Sequence, residues 1–162
     1  MLPSQPRVRV LFGAAAGPTI GFGHLVRVRS LARALGVAPL VALRGTAATR
    51  RQATAAGWQV VDVKADEDVR RLHPDVIVID DPSPERVRNW VQRARRLGVP
   101  VATVHDLGIA AVESDLLIDG TVAPRLDVLG RRGTLHGPRY AILDPAILAL
   151  RGPRARTSPP HL

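Results

Sequence analysis

The 162-residue sequence contains no cysteine, and its aromatic residues make up only 3 % of the chain. Without cysteine the chain can form no disulfide, no thiolate metal site and no cysteine nucleophile. The shortage of aromatic rings leaves few platforms on which single-stranded bases could stack. A chain of this length buries roughly two-thirds of the surface that it exposes when unfolded, so a hydrophobic core can hold it together without cross-links.

Long apolar runs are missing too, since none approaches the roughly 20 residues that a helix needs to cross a bilayer. The amino-terminal segment becomes apolar only for the length of a strand, so it lacks the pattern of a signal peptide. The histidines and acidic residues show no spacing typical of metal ligands. Together with the absence of cysteine, these features predict a cytoplasmic protein without a membrane contact, a metal site or a cofactor.

Acidic residues are outnumbered by basic ones, which gives a formal net charge of +9. A positive field attracts phosphate groups, and non-specific nucleic-acid binding is an alternative that rests on charge alone. The basic residues are almost all arginine, with Lys64 the only lysine, and they are dispersed along the chain. Dispersed arginines without aromatic platforms predict no specific nucleic-acid site.

Strand-length apolar segments alternate with segments of helical period along most of the chain. Strands are predicted at 7–12, 40–43, 59–63, 75–80, 100–104 and 115–119. Apolar residues at helical spacing predict helices over 24–35, 46–56 and 84–97. This alternation is typical of a single α/β domain with a parallel sheet and helices on both faces. We expect 7–12 and 76–80 to be central strands, because both are apolar on both faces.

The helix predicted after residue 83 has the clearest local signals. Ser83 can cap it, and Pro84 suits its first position, where a missing N–H costs nothing. Gly98 is expected to end it.

The carboxyl-terminal part of the sequence shows weaker patterns. Residues 121–139 lack a clear period, and 140–147 form a short apolar segment. The last segment, 151–162, has three prolines and almost no apolar content, so we expect it to be a disordered tail. The sequence thus predicts one domain over residues 1–150, followed by that tail.

Polar residues collect after the predicted strands, where the carboxyl ends of the strands would share one edge of the sheet. The residues concerned are Thr19, Gly21, Gly23, His24, Asp80, Asp81, His105, Asp106 and Asp119. In an open parallel sheet, ligands bind at this edge, where the strand order reverses. We therefore expect a ligand site there.

Two glycines flank Phe22 and place His24 in the first turn of a predicted helix. Glycines allow a tight turn close to a ligand, and the positive end of the helix dipole disfavours a charged imidazole. His24 is thus a candidate general base, with Arg27 one turn further along. The alternative is that His24 only caps the helix, and that Asp80 and Asp81 only cap the next helix or accept loop N–H groups.

Several motifs occur together in an order found in one family. Segment 20–27 (IGFGHLVR) and then 31–35 (LARAL) resemble the opening of the UDP-sugar hydrolases of pseudaminic-acid biosynthesis, and more loosely that of related two-domain GT-B glycosyltransferases. Three later segments resemble the strand-end motifs of this family: 78–81 (VIDD), 104–107 (VHDL) and 117–119 (LID). Segment 135–145 (LHGPRYAILDP) resembles the stretch that leads towards its second domain. The resemblance spans about residues 7–148.

The resemblance implies the amino-terminal, Rossmann-like half of an enzyme that acts on a UDP-linked amino sugar, with His24 as the general base that activates water. The substrate-binding residues would be Thr19, Gly21, Gly23, Arg27, Asp80, Asp81, Asp106 and Tyr140. His105 stands where the family tends to carry an aspartate. A second Rossmann-like domain, on a separate chain or in a homo-oligomer, would supply most of the uridine and diphosphate contacts. The alternative function is a non-catalytic module that binds a nucleotide sugar or a partner subunit.

The dispersed charge leads to a first prediction about nucleic acid. Any binding should be non-specific and should weaken steeply between about 50 and 200 mM salt, because it would rest on counterion release alone. Fluorescence anisotropy with several labelled oligonucleotides across that salt range checks this. Tight binding to one sequence that survives about 0.2 M salt would contradict it.

Overall fold

A computed structural model describes residues 8–105, 112–121 and 133–150 of the chain. Within these residues the strands are β1 (Val10–Ala15), β2 (Leu40–Arg44), β3 (Gln59–Val61), β4 (Val76–Asp80), β5 (Val101–His105), β6 (Leu116–Asp119) and β7 (Thr134–His136). The helices are α1 (Gly23–Leu35), α2 (Ala47–Ala55), α3 (Asp66–Leu72), α4 (Pro84–Leu97) and α5 (Pro145–Ala149), with a 3-10 turn at Pro138–Tyr140.

The seven strands form one parallel sheet in the order β3-β2-β1-β4-β5-β6-β7. Strands β1 and β4 are neighbours inside the sheet, as predicted. The structure therefore confirms a single α/β domain of Rossmann-like architecture. No helix among the described residues is long and apolar enough to cross a membrane.

Helices cover both faces of the sheet, and each face has its own core. On one face, α1 and α2 pack over the side chains of Phe12, Val41 and Val78. On the other, α3 and α4 pack over Leu11 and Ile77. Consecutive strand residues point to opposite faces, so β1 and β4 need apolar residues at successive positions.

The predicted boundaries of β1 are wrong by several residues. The strand begins at Val10 and continues through Gly13, Ala14 and Ala15, beyond the predicted end at residue 12. Gly13 is needed because Trp90 of α4 packs against it: a Cβ there would lie 2.7 Å from Ile79 Cδ1 and 3.3 Å from Trp90 Nε1. Small residues at the end of β1 reflect close packing rather than a turn.

Helix α4 confirms the prediction made for it. The side-chain oxygen of Ser83 accepts a hydrogen bond from the Arg86 N–H at 3.4 Å, Pro84 is the first helical residue, and Gly98 ends the helix at φ 66°. Helix α2 is also capped by a side chain, since Thr46 Oγ1 accepts from the Thr49 N–H at 3.1 Å.

Helices α3 and α5, strand β7 and the 3-10 turn were not predicted. Helix α3 buries a single residue, Val69, so its sequence carries almost no periodic signal. Strand β7 is three residues long and lies within the stretch 121–139 that lacked a period. The predicted tail, 151–162, lies outside the described residues.

Asp66, the first residue of α3, links this helix to α4 through hydrogen bonds with two arginines. Its Oδ2 accepts from Arg96 Nε at 2.9 Å, and its Oδ1 accepts from Arg93 Nε at 2.9 Å. The hydrogen bond from Arg96, followed by that from Arg93, lowers the pKa of Asp66 from 3.8 to about 2. The folded state therefore prefers the ionised carboxylate more strongly than the unfolded chain does.

The lowered pKa of Asp66 leads to a prediction about the stability of the protein in acid. Because the folded pKa lies below the unfolded one, the stabilisation by Asp66 is complete above about pH 4 and disappears as the pH falls through about 2. Asp66→Asn should lower the melting temperature at pH 7, and its difference from wild type should shrink between pH 4 and pH 2. Glu113→Gln, which removes an exposed carboxylate 3.8 Å from Arg95, is the control. A melting-temperature difference that stays constant between pH 4 and pH 2 would show that the ionised Asp66 does not stabilise the fold.

Candidate active site at the carboxyl edge of the sheet

The strand order reverses between β1 and β4. The chain proceeds from β1 to β2 and β3 on one side, and then continues with β4 on the other side of β1. A crevice opens at the carboxyl ends of such a strand pair, and ligands of open α/β sheets bind there. The residues that follow β1 and those that end β4 meet at this point.

A closed turn carries the chain from β1 to α1. The Gly17 N–H donates to the Gly21 carbonyl at 3.1 Å, and the Gly21 N–H donates back to the Gly17 carbonyl at 2.7 Å. Gly21 has φ +82°, which a residue with a Cβ rarely adopts. Thr19 lies exposed at the tip of this turn. The turn therefore fixes the point where α1 begins.

Three of the predicted site residues are brought together in this crevice. His24 Nδ1 lies 2.7 Å from Asp80 Oδ1. Arg27 donates to the same carboxylate twice, from Nε to Oδ2 and from Nη2 to Oδ1, both at 2.6 Å. The Asp80 side chain is 1 % exposed and that of His24 is 14 % exposed. A buried carboxylate thus has a bidentate arginine and an imidazole as its partners.

The contacts of His24 indicate its tautomer. Asp80 can only accept at Oδ1, so the short contact is a hydrogen bond when Nδ1 carries the proton. The 3.2 Å contact between Arg27 Nη2 and Nδ1 cannot be a hydrogen bond at the same time, since both atoms are then donors. In the neutral ring this arrangement leaves Nε2 with its lone pair. Nε2 is the atom that can accept a proton from a ligand or a water molecule.

The capping interpretation of His24 is wrong. The residue that caps α1 is Phe22, which makes no side-chain hydrogen bond to the helix, and the first turn contains no acidic residue. The interpretation of Asp80 as a cap is wrong as well, because Ser83 caps α4. The His24 and Asp80 side chains instead contact each other in the crevice.

Asp81 is bound on the opposite face of the sheet. Arg44 donates to it twice, from Nε to Oδ2 at 2.9 Å and from Nη2 to Oδ1 at 2.7 Å. The Ser83 N–H donates to Oδ1 at 2.8 Å, which confirms that Asp81 accepts a loop N–H. The hydrogen bond to Asp81 raises the pKa of Arg44, against the opposing effect of burial. Sequence reasoning missed Arg44, although a charge at the end of an apolar strand was available as a signal.

The remaining strand-end residues do not join the crevice around His24. His105, Asp119 and His136 are register partners at the ends of β5, β6 and β7. They share the face on which Val101 packs against α4, whereas Asp80 shares the face of Val78 and α1. His136 Nδ1 lies 3.4 Å from Asp119 Oδ2. The polar residues therefore lie at the carboxyl edge of the sheet, as predicted, but they are split between its two faces.

The structure places Tyr140 in the 3-10 turn after β7, where the Arg139 guanidinium lies 4.8 Å from the centre of its ring. The chain then passes close to Gly120, since a Cβ there would lie 2.6 Å from Ala141 Cα. Tyr140 thus belongs to the carboxyl edge, and its contact with a sugar stays a prediction. Asp106 lies outside the described residues.

Among the described residues, no group of three or more histidine, aspartate or glutamate side chains is placed to hold a metal ion. Comparison of the chain with protein-family models, curated proteins and solved structures finds no match. The geometry of the crevice itself is therefore the evidence for its role.

Arg27 should stabilise the fold through Asp80. Arg27→Met leaves the buried Asp80 carboxylate with His24 as its remaining side-chain partner among the described residues. The change should cost about 3 kcal/mol, near the lower end for breaking a buried ion pair, because Arg27 is 21 % exposed. The double variant Arg27→Met with Asp80→Asn should recover part of this loss. Urea unfolding measures both.

A matched control is available on the same helix. Arg33 pairs with Asp144 at 3.3 Å, and its side chain is 51 % exposed. Arg33→Met should therefore cost less than about 1 kcal/mol. Equal losses for Arg27→Met and Arg33→Met would show that Asp80 does not depend on Arg27.

Proposed function

We propose that this chain is the sugar-side domain of a nucleotide-sugar hydrolase or a related glycosyltransferase, with His24 as its general base. The observation that carries the proposal is the pair formed by His24 Nδ1 and the buried Asp80 carboxylate at the point where the strand order reverses. A buried carboxylate behind an imidazole sets the tautomer and stabilises the imidazolium that forms when the base accepts a proton. The motifs shared with the UDP-sugar hydrolases suggest the substrate class.

The proposed step is a displacement at the anomeric carbon of a UDP-linked amino sugar. His24 Nε2 removes a proton from water while the water oxygen bonds to the anomeric carbon. The bond between that carbon and the phosphate oxygen breaks, and UDP leaves with the bonding electrons. In a transferase, a sugar or other hydroxyl would replace the water. General-base catalysis of this kind contributes about 10²–10⁴-fold to a rate.

Arg27 and Asp80 act in this proposal as positioning residues. Two guanidinium nitrogens of Arg27 are used by Asp80, and Asp80 Oδ1 already accepts from both Arg27 and His24. Their main role is to hold the imidazole, and the predicted contacts with sugar or phosphate would be secondary. Gly21, Gly23 and Thr19 line the turn at which a ligand would enter.

A second Rossmann-like domain would complete the proposed enzyme by supplying most of the uridine and diphosphate contacts. We therefore expect the isolated chain to release UDP slowly, below about 1 per second. The exposed apolar side chains of Ile147 and Leu150, 55 % and 84 % accessible, favour a partner surface near α5. The same observation supports the alternative function, a non-catalytic module that binds a partner subunit.

His24→Asn tests the catalytic role. Single-turnover release of UDP from a UDP-linked amino sugar should fall by about 10²-fold or more. The dissociation constant for that sugar and the melting temperature should change little, because asparagine keeps a polar group at the site. Calorimetry and a UDP-release assay on the same preparation give all three quantities.

His73→Asn is the matched control. His73 is exposed, and its φ of 45° suits asparagine, so the chemical change is the same far from the crevice. It should leave both rate and binding unchanged. An unaltered rate in His24→Asn would overturn the proposed function.

A further inference from the structure

An apolar groove of about 190 Å³ lies between α1 and α2. Trp58, which is 5 % exposed, lies at its floor and limits its depth. Ala53 and Ala56 on the α2 side leave the space open, because their side chains end at Cβ. A cavity of roughly 150 Å³ accommodates a benzene ring, so the groove has room for one large apolar side chain.

The α1 side of the groove is apolar on a helix face where polar residues are the norm. Phe22 and Val26 line the groove and are 45 % and 56 % exposed. Arg29 lines it three residues further along. This spacing puts the three residues on one face of the helix. Large apolar side chains grouped on an exposed face are typical of a surface that another molecule covers.

The exposed rim of the groove favours a protein over a small molecule. A ligand that fits inside about 190 Å³ would leave the outer parts of Phe22 and Val26 in water. A helix is about 10 Å wide, so it can insert one side chain into the groove and cover the rim with its neighbours. Amphipathic helices bind apolar grooves in this way, through anchor residues three or four positions apart.

The charge of the two helices indicates what kind of helix would bind. Helix α1 contains three arginines and α2 contains two, and neither helix contains an acidic residue. In α1, Arg27 and Arg33 pair with carboxylates of this chain. Arg29 lies between them, is exposed, and forms no ion pair among the described residues. A carboxylate on the partner is therefore the group that complements this edge of the groove.

The groove is separate from the crevice described above. His24 contacts Asp80, whereas Phe22, Val26 and Arg29 line the groove on the other side of α1. The strand order explains this separation, because β2 and β4 flank β1 on opposite sides. A helix bound in the groove would therefore not compete with a ligand at His24.

We propose that the α1–α2 groove is the docking site for an acidic amphipathic helix of a partner protein. One large apolar side chain of that helix enters the groove between Phe22 and Ala56, and a carboxylate one turn away pairs with Arg29. The combination of an open apolar groove, an exposed apolar rim and an arginine without an acidic partner on the same face of α1 carries this inference. It does not rest on the proposed function.

Two fluorescein-labelled peptides of about 20 residues, long enough to form a helix, serve as probes of the charge. The acidic peptide has leucines four residues apart and glutamates beside them, and the neutral peptide has glutamine in place of every glutamate. By fluorescence anisotropy, wild type should bind the acidic peptide at least about 3-fold more tightly, the scale of one exposed ion pair. Arg29→Gln should weaken the acidic peptide by about 3-fold and leave the neutral peptide unchanged.

Arg51→Gln is the matched control for charge. Arg51 is exposed on α2 and does not line the groove, so this variant loses the same net charge away from the proposed contact. It should weaken the acidic peptide less than Arg29→Gln does, because attraction by net charge alone treats the two arginines alike.

Ala56→Leu tests the apolar part of the site. Ala56 is exposed and lines the groove, so leucine fills the space without disturbing the core. Both peptides should bind at least about 10-fold more weakly, the scale of losing a central anchor. Ala48→Leu is the control, since Ala48 is exposed on the same helix outside the groove, and it should bind both peptides within about 2-fold of wild type.

The docking site is overturned if wild type binds neither peptide, if it binds the two equally, or if Ala56→Leu and Ala48→Leu bind alike. A duplex oligonucleotide that displaces the acidic peptide, and that loses more affinity in Arg29→Gln than in Arg51→Gln, would assign this surface to nucleic acid and also overturn the proposal. These assays contain no nucleotide sugar, so their outcome is independent of the UDP-release test on His24.

Discussion

Burying a carboxylate is costly unless cationic or hydrogen-bonding partners replace the water that it loses, and Asp80 is 1 % exposed. Its partners come from α1, a helix that begins more than 50 residues earlier in the sequence. Supplying them requires the first turns of α1 to lie directly beside the end of β4. The closed glycine turn after β1 achieves this by fixing where the helix starts. The fold thus requires hydrogen-bonding partners for the buried Asp80, and the hydrogen bond that His24 makes for this purpose also orients its imidazole.

Asp80 and Asp81 show how one strand end is held from both faces of a sheet. Because consecutive residues point to opposite sides, Asp80 meets Arg27 above the sheet and Asp81 meets Arg44 below it. Each arginine gives two parallel hydrogen bonds, a geometry that fixes direction as well as distance. Strand β4 therefore ends in a rigid position, and the imidazole bound to Asp80 shares that rigidity. Such orientation is what a general base needs, since its nitrogen must lie within hydrogen-bond reach of the proton it accepts.

The sequence predicted the parallel sheet and the position of His24 and Asp80 at its carboxyl edge, because apolar runs and strand ends are local signals. It did not predict α3, whose only buried residue is Val69, or the extension of β1 through Gly13, which depends on the distant Trp90. His105 and Asp119 do lie at the carboxyl edge, but the sequence did not show that they occupy the opposite face from Asp80. Whether a strand ends on an odd or even residue decides which face its last side chain occupies, and that parity needs accurate strand ends.

The aromatic residues of this chain are so few that their positions carry information. The sequence has two tryptophans and two phenylalanines, and one of each, Trp58 and Phe22, lines an apolar groove between α1 and α2. Phe12 and Trp90 pack in the two cores, where burial of an aromatic ring contributes most to stability. Phe22 lies between two glycines and is 45 % exposed, so it gains less from burial than the two core rings do. A ring left in solvent at this position adds little to the core, and its place beside the turn that positions His24 leaves it accessible to a ligand at the carboxyl edge of the sheet.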